Sequence, residues 1–200
     1  MFRSMQESLS EWRAPPQVAA NASLELHYVF THIFLEGVLE TSETLYDKHT
    51  ALFARILVLS ERLITVGQSE GHFRLSLDAG VIAPLCLVAL KSRETGLKRR
   101  AISLLRCSPE QEGMWHRDSV LAVALWKLRE EGCSEEGGTV LQGPIGEDAR
   151  VHSERATTRT NAQGRQVTVM RYKKGHKDDQ AAEHWNEQVI NLPLFMGEVL

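Results

Sequence analysis

The stretch "VIAPLCLVALKSRETGLKRRAISLLRC", Val81 to Cys107, decides how the chain is read. Its first half is almost wholly apolar, and its second half sets three consecutive cations, Lys98, Arg99 and Arg100, inside an amphipathic pattern. The run from Val81 to Lys91 is too short to span a membrane and fits a short, deeply buried helix. Pro84 is tolerated there only in the first turn, where its missing N–H has no intrahelical acceptor to satisfy. Thr95 offers an N-cap for a second helix over 96–106. At roughly 100° per residue, Leu97, Ala101, Leu104 and Leu105 fall on one stripe. Arg99 and Arg106 point away from that stripe, while Lys98 and Arg100 lie on its opposite flanks. The cations fan out around the helix and do not form a single row along a phosphate backbone. Arg100, near the core edge, is placed to pair with a carboxylate of a neighbouring helix. This geometry favours a structural helix over a nucleic-acid grip.

Working outward, the pattern stays helical on both sides. Upstream, Leu24, Tyr28 and Leu35 define one apolar face of a helix capped by Asn21 or Ser23, after a loose lead-in over 1–20 that ends in Pro15-Pro16. A clearer helix carries Leu52, Phe53, Ile56, Leu57, Leu63 and Ile64 on its inner stripe, with Arg55, Glu61 and Arg62 outside it and Gly67 as its stop. Downstream, Ser108-Pro109-Glu110-Gln111 has the spacing of a capping box. Asp118 or Ser119 then caps a buried last helix, "VLAVALWKLREE", which ends at Gly132. Residues 132–150 read as an acidic, Gly-rich loop. Residues 151–175 alternate with period two on either side of "NAQG" and read as a solvent-facing β-hairpin. The tail, 176–200, carries a short helix around 182–190. The expected fold is therefore an all-α helical array over 21–131 with a small β-hairpin appendage near the C-terminus.

The bulk numbers narrow the chemistry. The chain has 200 residues, 42% of them hydrophobic, and a formal net charge of -3, so there is no whole-chain attraction to polyanions and any such contact must come from a local patch. The three cysteines, Cys86, Cys107 and Cys133, are odd in number and widely spaced, which favours a reducing, intracellular setting over a disulfide framework. No phosphate-binding glycine loop, no H-E-x-x-H and no nucleophile elbow occurs. His27 and His32 stand about 500° apart around a helix, poorly placed to share an ion. The basic cluster "RYKKGHK" at 171–177 is a weak nuclear-import signal.

The order of elements from "LDAGVIAPL" to "LWKLREE" resembles the C-terminal regulatory region of fungal-specific transcription factors, the regulators that carry a binuclear zinc cluster. The matching residues are Pro84-Leu85, Ser92-Arg93-Glu94, Arg99-Arg100-Ala101-Ile102, Leu104-Leu105 and Gly113-Met114-Trp115, with "PIGEDARV" similar to an element that follows in the family. The resemblance spans roughly residues 24–155. It departs from the family's pattern at Ser92, where cysteine is usual, and at Gly146. The six-cysteine zinc cluster itself is absent, so no cofactor or metal is expected and sequence-specific DNA reading is not expected of this chain alone.

The resemblance implies a nuclear, non-enzymatic regulatory domain that acts through protein partners or a small-molecule effector, without a membrane. It implies structural roles, doubling as a partner-binding surface, for Pro84, Leu85, Arg93, Arg99, Arg100, Leu104, Leu105, Gly113 and Trp115. Arg93, Arg99 and Arg100 would hold helix ends and inter-helix ion pairs, and Trp115 would anchor the core. The competing expectation is a free-standing helical scaffold or adaptor outside transcription.

Overall fold

The computed structural model describes residues 15–39, 43–69, 75–76, 80–133, 144–164, 166–174 and 185–190. Among them the order is α1 (Pro15–Leu39), a 3-10 helix (Glu43–His49), α2 (Thr50–Ser69), β1 (Leu75–Ser76), α3 (Ile82–Lys91), α4 (Thr95–Cys107), β2 (Gln111–Glu112), β3 (Trp115–His116), α5 (Arg117–Glu130), a 3-10 turn (Glu147–Ala149), β4 (Val151–Thr160), β5 (Gln166–Lys174) and β6 (Asn186–Ile190). The fold is mostly helical with a small antiparallel sheet beside it.

The helices close around one apolar core. Ala22, Leu26, Val29 and Ile33 of α1 meet Phe53, Ile56, Leu57 and Ile64 of α2, and both pack on Ile82, Leu85 and Val88 of α3. Ala101, Ile102 and Leu105 of α4 and Val120, Ala124 and Leu128 of α5 complete it. Pro84 sits in the first turn of α3, as its missing N–H demands, and is buried with Leu85.

Several sequence expectations are overturned. Helix α1 begins at Pro15, so neither Asn21 nor Ser23 caps it and the lead-in is shorter than 1–20; proline is compatible with a first helical turn. The Leu24, Tyr28 and Leu35 face exists but points outward, because α1 has a second apolar face that takes the core. Gly67 lies inside α2, which continues to Ser69. Ser108 ends α4: its Oγ donates to the Leu105 carbonyl at 2.8 Å, and the capping-box reading fails. The chain after it instead forms the tight β2–β3 hairpin, with Gly113 at φ 54° in the left-handed region. Helix α5 starts at Arg117 after an extended His116, with Asp118 in its first turn where a negative charge suits the dipole.

The reason for the hairpin lies at the start of α3. The Glu112 carboxylate is buried and accepts the Ile82 N–H at 2.7 Å, satisfying a donor that the helix cannot. Burial pushes its pKa up. A Cβ on Gly80 would stand 2.1 Å from Glu112 Oε1. Gly80→Ala is therefore expected to cost about 1–3 kcal/mol, read by urea denaturation, because the carboxylate and the helix terminus cannot both stay in place. A stability unchanged by the substitution would mean that the carboxylate is free to leave the site.

The hairpin over 151–175 is present, and β6 adds a third strand in the order β4-β5-β6. The short helix expected around 182–190 is replaced by β6 over 186–190, which closes the hydrogen-bonding edge of β5 as no helix can; 182–184 lie outside the described residues. Nor is the hairpin solvent-facing on both sides. Val151 and Met170 pack against Trp126 of α5. The loop expected over 132–150 is described only at its ends, where Cys133 and Ile145 are buried.

Candidate interaction surface

The residues singled out by the family pattern do not converge on a cavity; most of them tie elements together. Arg93, in the α3–α4 corner, donates from Nε to the Ile145 carbonyl at 2.5 Å and from Nη1 to Asp47 Oδ2 at 3.1 Å. Arg150 approaches the same carboxylate from the other side, donating to Asp47 Oδ1 at 3.1 Å and to the Lys91 carbonyl at 3.2 Å. One carboxylate thus holds two guanidinium groups, and the segment leading to the sheet is pinned against the helices. Arg100 pairs with Glu61 of α2 at 2.6 Å, as expected of a cation at the core edge, and both side chains are about half exposed, so the pair contributes little. Arg99 is half-buried on α4, Leu104 is half-buried and Leu105 is fully buried.

Two placements depart from expectation. Trp115 is 41% exposed on the two-residue strand β3 and anchors no core. Lys98, expected on the flank of α4, is 1% exposed. The inward stripe is Lys98, Ala101, Ile102 and Leu105, which meets the i, i+3, i+4, i+7 spacing once a lysine is admitted to it. Its ammonium is ion-paired to Glu131 just beyond α5, and the other Glu131 oxygen accepts the Val151 N–H at 3.3 Å. Burial pushes the Lys98 pKa down to about 8. Sequence alone offered no signal for this pair, since both partners belong to residue types that normally face water.

The histidines also meet across elements. His32 and His49 pack edge to face at 5.9 Å, and both approach Glu36, at 3.3 and 3.2 Å. Burial lowers the His49 pKa. Among the described residues, no group of three or more His, Cys, Asp or Glu is placed to hold a metal ion, and no helix is long and apolar enough to cross a membrane.

The surface feature that stands out is the outer face of α1. Leu24 is 72% exposed, Tyr28 74%, Leu35 57% and Val38 65%, with Phe34 at one edge. At roughly 100° per residue these four side chains lie within about 80° of one another, a continuous seam along the helix. Its carboxylates are already matched from within the chain: Glu25 holds Arg55 of α2 at 2.6 Å, and Glu36 holds Lys48 at 2.5 Å. The seam is therefore apolar and electrically quiet, the character of a surface that receives another apolar surface.

No family model matches the chain, no curated protein matches it, and no solved structure matches it.

Proposed function

We propose that this chain is a non-enzymatic regulatory module of transcription, nuclear in location, that works by binding another protein and does not itself read DNA sequence. The reading rests on the resemblance of Leu77 to Glu131 to the fungal regulators, and the observation that carries it is the outer seam of α1. The partner it fits is an amphipathic helix: Leu24, Tyr28, Leu35 and Val38 are spaced by four, seven and three residues, which accepts helical knobs along one seam. Because Glu25 and Glu36 are neutralised by the chain's own cations, the partner needs an apolar stripe and no matching charge.

The test is transcription itself. Fused to an unrelated DNA-binding domain, the chain is expected to shift the output of a reporter promoter, and Leu24→Asp with Leu35→Asp is expected to abolish that shift. Both residues are exposed, so the double variant should change folding stability by no more than about 0.5 kcal/mol per site. A reporter indifferent to the chain, or one that responds equally to the variant, would overturn the proposal. A seam that pairs two copies would appear as a dimer in light scattering, lost in the variant, and would replace the helical partner with self-association.

A further inference from the structure

The three-stranded sheet has two faces of opposite character. One, with Met170 and Tyr172, lies against Trp126. The other carries Arg155 and Arg159 of β4, Arg171 and Lys173 of β5, and the indole of Trp185 just before β6. Arg155 and Arg171 are direct register partners across the strands. Like charges placed opposite one another destabilise an antiparallel pair, so this pairing carries a cost that other contacts must offset. Lys173, two residues along β5, adds a third cation to the same face. All three charged groups converge on one ring: the Arg155 and Arg171 guanidinium carbons lie 5.5 and 5.3 Å from the Trp185 centroid, and Lys173 Nζ lies 5.3 Å from it. The ring's negative face offsets part of the repulsion. The described side chains of that face include one carboxylate, Glu187, bound to Arg171 at 2.9 Å and reaching Arg159 at 3.4 Å. Four cations thus share one acid in a chain whose overall charge is negative.

We infer that this outer face of β4–β6, built around Arg155, Arg171, Lys173 and Trp185, binds single-stranded nucleic acid without sequence preference. The site is independent of the α1 seam and goes beyond the proposed role in protein binding. An anion bridging the three cations removes the repulsion that the sheet otherwise bears. Consecutive same-face residues on a strand stand roughly 6.6 Å apart, so Arg171 and Lys173 form a row that can follow a phosphate backbone, while the indole and the guanidinium planes offer stacking surfaces to bases. A duplex fits less well. The sheet is backed by α5, and the two layers together are far thicker than the roughly 12 Å major groove, which admits a helix or a bare two-stranded ribbon. A three-stranded sheet whose outer face carries an indole ring among cationic side chains is instead a platform on which unstacked bases can lie.

The experiment is fluorescence anisotropy of the full chain with a labelled oligothymidylate at low salt, titrated over a salt series. Saturable binding is expected, with a salt slope near −2, about 0.7 for each of three phosphates neutralised. Arg155→Gln with Lys173→Gln should weaken binding by about tenfold or more and flatten that slope. Trp185→Ala should weaken it by about fivefold or more, and Trp185→Phe, which retains an aromatic face, should restore most of the loss. Thermal melts of each variant confirm that the sheet is intact. No binding at low salt, or an affinity indifferent to the Gln variants, would sink the inference. So would a duplex of equal length that binds as tightly as the single strand, or polyglutamate that displaces the probe as well as unlabelled oligothymidylate does, since either marks a general response to polyanions.

Discussion

Lys98→Met is expected to lower stability by about 3–5 kcal/mol at neutral pH, the usual cost of leaving one member of a buried ion pair alone. Glu131 is 1% exposed and would lose the ammonium that pairs with it. The lysine chain itself packs like a hydrophobe beside Ala101 and Ile102, so methionine preserves most of the contact and isolates the electrostatic loss. Adding Glu131→Gln should recover at least about 2 kcal/mol, because the amide oxygen can still accept the Val151 N–H while the buried negative charge disappears. Urea denaturation of the four proteins in the cycle measures both quantities. A double variant no more stable than Lys98→Met would locate the cost in packing and refute the ion-pair account.

The same residue carries a pH signature of definite sign. The folded-state pKa of Lys98 is pushed down to about 8, below its ordinary 10.5, with burial as the largest cause. Below pH 8 both states hold the proton, and the contribution of this residue to stability does not change with pH. Between pH 8 and 10.5 the folded state has released a proton that the unfolded state still binds, so this residue's contribution to stability rises with pH. The stability gap between the natural chain and Lys98→Met should therefore widen from pH 7 to 9.5. A gap that narrows would mean that the ammonium is held more tightly when folded than when unfolded.

Lys98 also marks where sequence reading stopped. Periodicity located α2 to α5 closely, because apolar residues at helical spacing are the direct record of a buried face. It misplaced the stripe of α4 by treating lysine as an outward residue, a rule that fails wherever a distant carboxylate supplies the counter-charge. On α1 the difficulty was the reverse. The helix has two apolar faces, and nothing local says which of Leu26 or Leu24 meets the core; that choice is made by α2 and α3. The outer seam was thus visible in the spacing and assigned to the wrong side. Ser108 to Gln111 carried every local mark of a helix start, yet the need of α3 for a carboxylate at its N-terminus drew Glu112 into an extended segment. The Asp47 bridge between Arg93 and Arg150 joins residues more than a hundred positions apart; an ion pair was expected of Arg93, but nothing local named Asp47 or Arg150 as its partners. The basic sheet face left a trace as "RYKKGHK", but Arg155 and Trp185 join it only through strand register.

Trp126→Ala is expected to be the most damaging aromatic substitution, at about 3–5 kcal/mol, and Trp115→Ala to stay within about 1 kcal/mol. The difference follows from what each ring touches. Trp126 is 4% exposed and stands between α5 and the sheet, packed on Val151 and Met170 and edge-on to Tyr172 at 5.0 Å. Its indole N–H donates to Gln188 Oε1 at 2.6 Å, which fixes β6 as well. Tyr172 in turn donates to Glu130 Oε2 at 3.0 Å, so the ring is the centre of the joint between the helices and the three strands. Removing it opens a cavity at that joint and should release the sheet before the helices: amide exchange in β4, β5 and β6 is expected to rise more than in α2 or α3. Trp126→Phe should lie between, keeping most of the apolar area and losing about 1 kcal/mol with the hydrogen bond. Trp115, 41% exposed on a two-residue strand, leaves no comparable void. If Trp115→Ala proved the costlier of the two, or if Trp126→Ala accelerated exchange in helices and sheet alike, the joint would not be where the structure places it. The outcome bears on function too, because the face that carries Arg155, Arg171 and Lys173 is held in register by the same three strands.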